Sequence, residues 1–147
     1  MNTTVRRADA GDLDALTLLF DAYRQFYGQG SDLRRARAFL AARVERGESV
    51  LLLARIGTAD AGFTQLYPIF SSVRMGRVWL LNDLYVVPDV RRHGVATALL
   101  DAATAFARQS GARGLQLETA ADNTTAQALY RKAGWAHDSN LHFHLDL

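Results

Sequence analysis

Apolar residues recur along the chain in two rhythms. Leu13, Leu16, Phe20, Tyr23 and Tyr27 fall at intervals of three and four, the spacing of one helical face. Asp9 or Asp12 stands before them as an N-cap, and Gly28-Gln29-Gly30 closes the segment. Ser31 or Asp32 caps a second helix whose apolar face is Leu33, Ala36, Leu40 and Val44, with Gly47 as its stop. Ahead of both, Val5 to Ala8 reads as a short strand. After them the rhythm changes. Ser49 to Ile56 is a continuous apolar run, Ala61 to Phe70 is rich in aromatic and β-branched residues, and Arg77 to Val87 follows a loop at Ser71 to Gly76. Short turns join these three strands, so antiparallel pairing is expected.

Helical spacing returns at Val95, Leu99, Ala103 and Phe106, predicting a helix from about His93 to Gln109 with Gly111 beyond it. Leu115 and Leu117 alternate with Gln116 and Glu118, predicting a strand over Arg113 to Thr119. A strand, a helix and a strand in succession imply a parallel crossover. Asp122 or Asn123 caps a last helix carrying Ala126, Leu129, Tyr130 and Ala133, ended by Gly134. The tail, Trp135 to Leu147, reads as two short strands around Asp138 to Asn140. The expected order is β-α-α-β-β-β-α-β-α-β-β, an α/β fold with a mixed central sheet. At 147 residues, a single domain spanning 1–147 is expected.

Composition narrows the chemistry. Hydrophobic residues at 49% and charged residues at 22% are ordinary for a soluble globular protein. No apolar stretch approaches a membrane span, so no membrane partner is expected. Met1 to Ala10 has Arg6 and Arg7 but no apolar segment behind them, which makes the cytoplasm the default expectation. Cysteine is absent, which excludes disulfides, Cys-ligated zinc and a cysteine nucleophile. The net charge of +2 comes from scattered arginines, with Lys132 the single lysine, so a nucleic-acid partner is not expected. His142 and His144 would share one face of a strand without an acidic or Cys cluster beside them, and no metal site is assigned to them. Ser71 and Ser72 lack the context of a nucleophilic serine.

The segment Leu84-Tyr85-Val86-Val87-Pro88-Asp89-Val90-Arg91-Arg92-His93-Gly94-Val95-Ala96 is the most informative. A strand ends at a proline, a short basic turn follows, and a helix begins at once. Backbone N–H groups at a helix start are unpaired, and the helix dipole adds positive potential there. Gly94 lets the backbone approach a ligand, Ala96 keeps the next turn small, and Arg91 and Arg92 add charge. Chemically this is a pyrophosphate cradle. It lacks the Gly-Lys-Ser/Thr end of a Walker loop and the glycine spacing of a dinucleotide fingerprint.

Arg91-x-x-Gly94-x-Ala96, after the strand ending Val86-Val87-Pro88, resembles the acetyl-CoA signature of the GNAT superfamily of N-acetyltransferases. The element order resembles that fold over nearly the whole chain. A second matching block follows: Glu118 to Asn123, then Ala128-Leu129-Tyr130, then Gly134-Trp135. The resemblance implies acetyl-CoA as co-substrate, no metal, direct attack by an amine in a ternary complex, and a homodimer. It places Leu84, Tyr85 and Val86 beside the pantetheine arm, with the Val86 N–H as oxyanion donor. It assigns the pyrophosphate to backbone donors of Arg92, His93, Gly94, Val95, Ala96 and Thr97, and a contact with the CoA arm to Asn123. Tyr130 corresponds to the tyrosine beside the CoA sulfur, where a thiol of pKa ~8.5 leaves better if protonated. By helical spacing alone, with Ala126 and Ala133, Tyr130 reads as a core aromatic; the resemblance is what gives it the other role.

An ammonium of pKa ~10.4 must lose a proton before it attacks, and Asp83 and Glu118 are the candidate bases. Asn82-Asp83-Leu84-Tyr85-Val86 resembles the Glu-Asp-aromatic-aromatic-Val stretch of spermidine/spermine acetyltransferases, with Asn82 in place of the first acid. Asp83 is either a partner for a cationic substrate or a solvated or N–H-bonded carboxylate. Glu118 is either a cleft residue or an exposed strand residue. Tyr23, Tyr27, Tyr67 and Phe70 are candidates to line an acceptor pocket. The expected acceptor is a small-molecule primary amine. A protein lysine or N-terminal amine is the first alternative, and a non-catalytic acetyl-CoA-binding module the second.

Overall fold

A computed structural model describes residues 2–147. Its sheet has five strands in the order β1 (Thr3–Arg7), β2 (Val50–Ile56), β3 (Ala59–Ser71), β4 (Gly76–Val86) and β5 (Gly114–Gln116). The first four pair antiparallel, and β4 pairs with β5 in parallel, as a mixed sheet requires. Four helices cover it: α1 (Leu13–Phe26), α2 (Leu33–Glu45), α3 (Val95–Gln109) and α4 (Thr124–Lys132).

Side chains on a strand point alternately to opposite faces, and here both faces are buried. On β2, Val50, Leu52 and Ala54 join Leu66, Leu81, Leu99, Leu100 and Ala103 under α3. Leu51 and Leu53 turn the other way, to Leu16, Phe20, Leu40 and Phe63 under α1 and α2. That two-sided burial explains why Val50 to Ala54 is apolar throughout instead of alternating.

The helix starts are chemically specific. Asp9 accepts from Gly11 N–H at 2.8 Å while Asp12 accepts from Asp9 N–H at 2.9 Å, a reciprocal cap on a short 3-10 turn that leads into α1. Asp12 also takes both arms of Arg6 at 2.6 and 2.9 Å, which ties β1 to α1. For α2 the cap is Asp32, whose carboxylate accepts from Arg35 N–H at 3.1 Å. Ser31 has a different task, donating its hydroxyl to buried Asp21 at 2.7 Å.

Two expectations fail at the C-terminal side. The strand predicted over Arg113 to Thr119 is limited to Gly114–Gln116, because β4 diverges from it beyond the Leu80–Gln116 pair. Leu117 to Thr119 keep the alternating pattern but have no ladder to join. The two strands expected in the tail do not form among the described residues. A turn does form there, with Asn140 N–H donating to the Asp138 side chain at 3.0 Å. A strand needs a neighbour to satisfy its N–H and C=O groups, and Trp135 to Leu147 has none in its own chain. No helix is long and apolar enough to cross a membrane.

Candidate active site

The site begins with the divergence of β4 from β5. Val87 N–H donates to the Ala61 carbonyl at 2.9 Å, so the bonded pairs of the β3–β4 ladder include Ala61–Val87 and Phe63–Tyr85. In an antiparallel ladder the intervening residues turn their N–H and C=O groups away from that partner. Leu84 and Val86 are the intervening residues, opposite Thr64 and Gly62. Their N–H groups therefore point toward the β5 side, where pairing has already stopped at Gln116. Arg91 Nε donates to the Val86 carbonyl at 2.9 Å, so of the two groups of Val86 on that side the N–H stays available.

Gly62 allows this geometry. A Cβ at Gly62 would lie 2.4 Å from the Tyr85 carbonyl oxygen and 3.2 Å from Val86 Cα. The two backbones approach closely at the residue whose N–H faces the gap. In the sequence Gly62 is a single glycine inside a strand pattern, which signals close backbone approach but not to what.

Beyond Val86 the chain makes a 3-10 turn at Pro88–Val90 and enters α3. Arg91 N–H closes that turn on the Pro88 carbonyl, and the next backbone donor used is Ala98 N–H, to the Gly94 carbonyl. Among the described residues, the six N–H groups from Arg92 to Thr97 have no acceptor in the protein. Gly94 sits at φ +81° as the N-cap of α3, where a Cβ would meet nothing within 4 Å, and Arg92 is also left-handed at φ +65°. The turn thus presents consecutive donors at a helix N-terminus, a site for a multiply charged anion. Arg91, however, lies back over the Phe26 and Tyr85 rings at 5.5 and 5.6 Å, and holds the end of β4. Arg92 and His93 are exposed.

On the α1–α2 face lies a polar chain within the core. A bulge places Gln65 opposite Asp83 but Leu66 opposite Leu81, so Asn82 is the extra residue on β4. In an unbulged strand, strict alternation would turn Asp83 the same way as Leu81, into the apolar core under α3. Asp83 is instead 2% exposed and accepts from Gln65 Nε2 at 2.5 Å and Asn82 Nδ2 at 2.8 Å. Ser49 Oγ in turn donates to Gln65 Oε1 at 2.8 Å. Burial raises the Asp83 carboxyl above the usual carboxylate range, and the hydrogen bonds from Gln65 and Asn82 oppose that shift. The N–H-bonded reading of Asp83 holds, and the carboxylate is buried, not solvated. Its field acts on its neighbours: burial and then Asp83 push the Tyr67 phenol up to about 12, and raise Tyr23 further. Tyr23 donates its hydroxyl to the Asn82 carbonyl at 3.3 Å. Gln65, the buried partner of Asp83, is missed by sequence reasoning; its one signal is a polar residue inside an otherwise apolar stretch of strand.

The remaining candidates separate. Tyr23 and Tyr27 pack edge to face with centroids 5.1 Å apart, and Tyr23 meets Tyr85 in the same way. Phe70 is not with them. It pairs with Arg77 at the far end of the β3–β4 hairpin and is 75% exposed. Ser71 completes that hairpin by accepting from Arg74 N–H at 3.2 Å. Tyr130 stands on α4 beside Trp135, with its phenol raised first by burial and then by nearby Tyr27. Glu118 is exposed and lines, with Tyr130, a cleft of about 530 Å³ between β5, α4 and the Trp135–His142 segment. Asn123 caps α4, its side-chain oxygen accepting from Ala126 N–H at 3.1 Å. Its side-chain NH2 makes no bond among the described residues.

A mixed sheet whose parallel pair separates beside an anion-binding helix start is the arrangement that the resemblance to the GNAT superfamily implies. The model of the acetyltransferase (GNAT) family matches residues 14–135. The chain is 46% identical over 144 residues to an uncharacterized N-acetyltransferase, YhfO, of Bacillus subtilis (strain 168), covering 97% of each. It is 32% identical over 99 residues to aminoglycoside N(6')-acetyltransferase type 1 of Klebsiella aerogenes, covering 66% of this chain and 65% of that one. A crystal structure of a probable acetyltransferase superposes with a TM-score of 0.93 at 40% identity, covering 98% of this chain and 97% of that one. The chain belongs to the GNAT family and is an acetyltransferase.

Proposed function

We propose that the chain transfers the acetyl group of acetyl-CoA to the primary amine of a small cationic molecule, by direct attack in a ternary complex. The observation that carries this reading is the Val86 N–H aimed into the gap between β4 and β5, next to the free donors of Arg92 to Thr97. Those donors suit the pyrophosphate of CoA, and the gap suits its extended arm. The Val86 N–H stabilises negative charge as it develops on the thioester oxygen, where a preorganised donor is worth most. Tyr130, kept protonated by its raised pKa, supplies the proton the departing thiolate needs. Asn123 offers its free amide to the arm.

The acceptor enters from the α1 side. Asp83 lies too deep to touch it directly, but its carboxylate has no cationic partner among the described residues, and it holds the exposed Asn82 amide. That charge, with the Tyr23 and Tyr27 rings, favours a cation over a neutral amine. Glu118, on the exposed wall near Tyr130, accepts the amine proton through water. The aminoglycoside relative supports an acceptor with several amines.

The test is thiol release from acetyl-CoA with polyamines, amino acids, aminoglycosides and lysine peptides. Release driven by a small amine supports the reading. Release driven only by peptides would replace the small-molecule acceptor, and failure to bind acetyl-CoA would overturn the donor.

A further inference from the structure

We infer that Ser49 and Gln65 are positioning residues that keep Asp83 in its ionised form beneath the acceptor side of the site. They act through a chain of hydrogen bonds running across the sheet. Gln65 is the middle of a cross-strand row, opposite Leu51 on β2 and Asp83 on β4. Ser49 lies two residues before Leu51, so alternation turns it to the same α1–α2 face. Ser49, Gln65 and Asp83 are all buried.

The chain has a direction. A carboxylate can only accept, so the Gln65 group beside Asp83 is its NH2, which donates to Oδ2 at 2.5 Å. Gln65 Oε1 then faces Ser49 and accepts its hydroxyl proton at 2.8 Å. Asp83 Oδ1 accepts from Asn82 Nδ2 at 2.8 Å, so a proton on either oxygen displaces a donor. On the Gln65 side, a protonated Asp83 calls for the reverse order. Gln65 would turn its oxygen to the acid and its NH2 to Ser49, and the Ser49 hydroxyl would need another acceptor. Among the described residues that hydroxyl bonds to Gln65 alone. The serine therefore holds the amide in the orientation that suits the anion.

The other groups around Asp83 do not supply that bias. Those facing it are the phenols of Tyr23 on α1 and Tyr67 on β3, both raised by burial and then by the Asp83 charge. Arg43 on α2 acts on Tyr67, and no cation bonds Asp83 among the described residues. Burial pushes the carboxyl toward the neutral acid, and the amides of Gln65 and then Asn82 oppose it. Asn82 is exposed and can turn to water, which leaves Gln65 as the donor fixed in the core. The consequence for the reaction rests on the proposed role of Asp83 as the charge that favours a cationic acceptor.

The test compares Ser49→Ala with Ser49→Thr, which restores the hydroxyl. Carbon-13 NMR of the Asp83 carboxyl reads its titration without any substrate. In Ser49→Ala that titration should move to higher pH by about one pH unit, the size expected for weakening one hydrogen bond to a charged group. Ser49→Thr should bring it back. A titration that Ser49→Ala leaves in place overturns the inference, as does an equal shift in both variants. The unmodified chain decides the matter even if the variants fail to fold. Its Gln65 side-chain amide signals should titrate in step with the Asp83 carboxyl, and amide signals that ignore that titration overturn the inference. Midway between the two titrations, the KM of a small cationic amine should rise about threefold in Ser49→Ala, as the ionised fraction falls by that factor, with the Kd of acetyl-CoA unchanged. A shifted titration with an unchanged KM supports the link from Ser49 to Asp83 and overturns the acceptor role of Asp83 instead.

Discussion

Gly62→Ala tests the site geometry with one methyl group. The added carbon would stand 2.4 Å from the Tyr85 carbonyl oxygen. That is roughly 1 Å inside ordinary non-bonded contact, and the obstacle is backbone, not the end of a flexible side chain. β3 and β4 must therefore separate by a large part of that distance, at the pair that includes Val86. Overpacking of this kind costs ~1–3 kcal/mol. Misplacing a catalytic donor by about 1 Å costs on the order of 100-fold in rate. The chain should therefore remain folded at 25 °C with a lowered Tm, bind acetyl-CoA through the unaltered α3 start, and lose roughly 100-fold in kcat. Calorimetric binding of acetyl-CoA, thiol release and thermal melting separate these effects. Gly30→Ala is the control, since Gly30 has no neighbour within 4 Å and a φ outside the left-handed range. Gly62→Ala with unchanged kcat and Tm would refute the claim that close approach of β3 and β4 sets the Val86 donor.

Three further outcomes follow from the same geometry. Tyr130→Phe should bind acetyl-CoA normally and lose ~100-fold or more in kcat, and in the wild type any alkaline loss of rate due to Tyr130 should fall above the ordinary tyrosine range. Asp83→Asn should weaken acceptor binding, seen in KM, while stabilising the fold at neutral pH. The folded pKa of Asp83 is raised, so its contribution to stability is greatest below its unfolded pKa and is lost as pH rises through the folded value; melting against pH should show that fall in the wild type and not in the variant. Asp12→Ala should cost ~1–2 kcal/mol through the lost cap. Arg6 holds the Asp12 carboxyl down to about 2, so the wild-type advantage should be complete above pH ~4 and vanish as pH falls through about 2.

Much of the fold is legible in the sequence, because local rules decide it. The antiparallel β2–β3–β4 run and the α3 crossover follow from period and turn length, and side-chain chemistry narrows each cap to two neighbours, of which the structure uses Asp9, Asp32 and Asn123. The anion-binding turn is legible for the same reason: Gly94 and the helix start are adjacent in sequence. What stays hidden depends on pairing across the sheet. The bulge at Asn82 is defined by counting β4 against β3, so nothing within Asn82-Asp83-Leu84 shows that Asp83 turns toward Gln65. The close approach at Gly62 requires knowing that Tyr85 lies opposite its neighbour. Phe70 resembles Tyr67 in sequence, yet it sits at the hairpin end, away from the site.

The divergence of β4 and β5 has a cost in the same sheet. A parallel strand that stayed in register beyond Gln116 would occupy the N–H groups of Leu84 and Val86, and the donor proposed for the thioester oxygen would be lost. Separation frees those donors, but it leaves β5 with three paired residues on one side and an open edge on the other. So short a strand is weakly held by its own ladder. Its hold comes from packing instead: Leu115 lies against the apolar cluster under α3, which fixes one wall of the gap without a ladder that would close it.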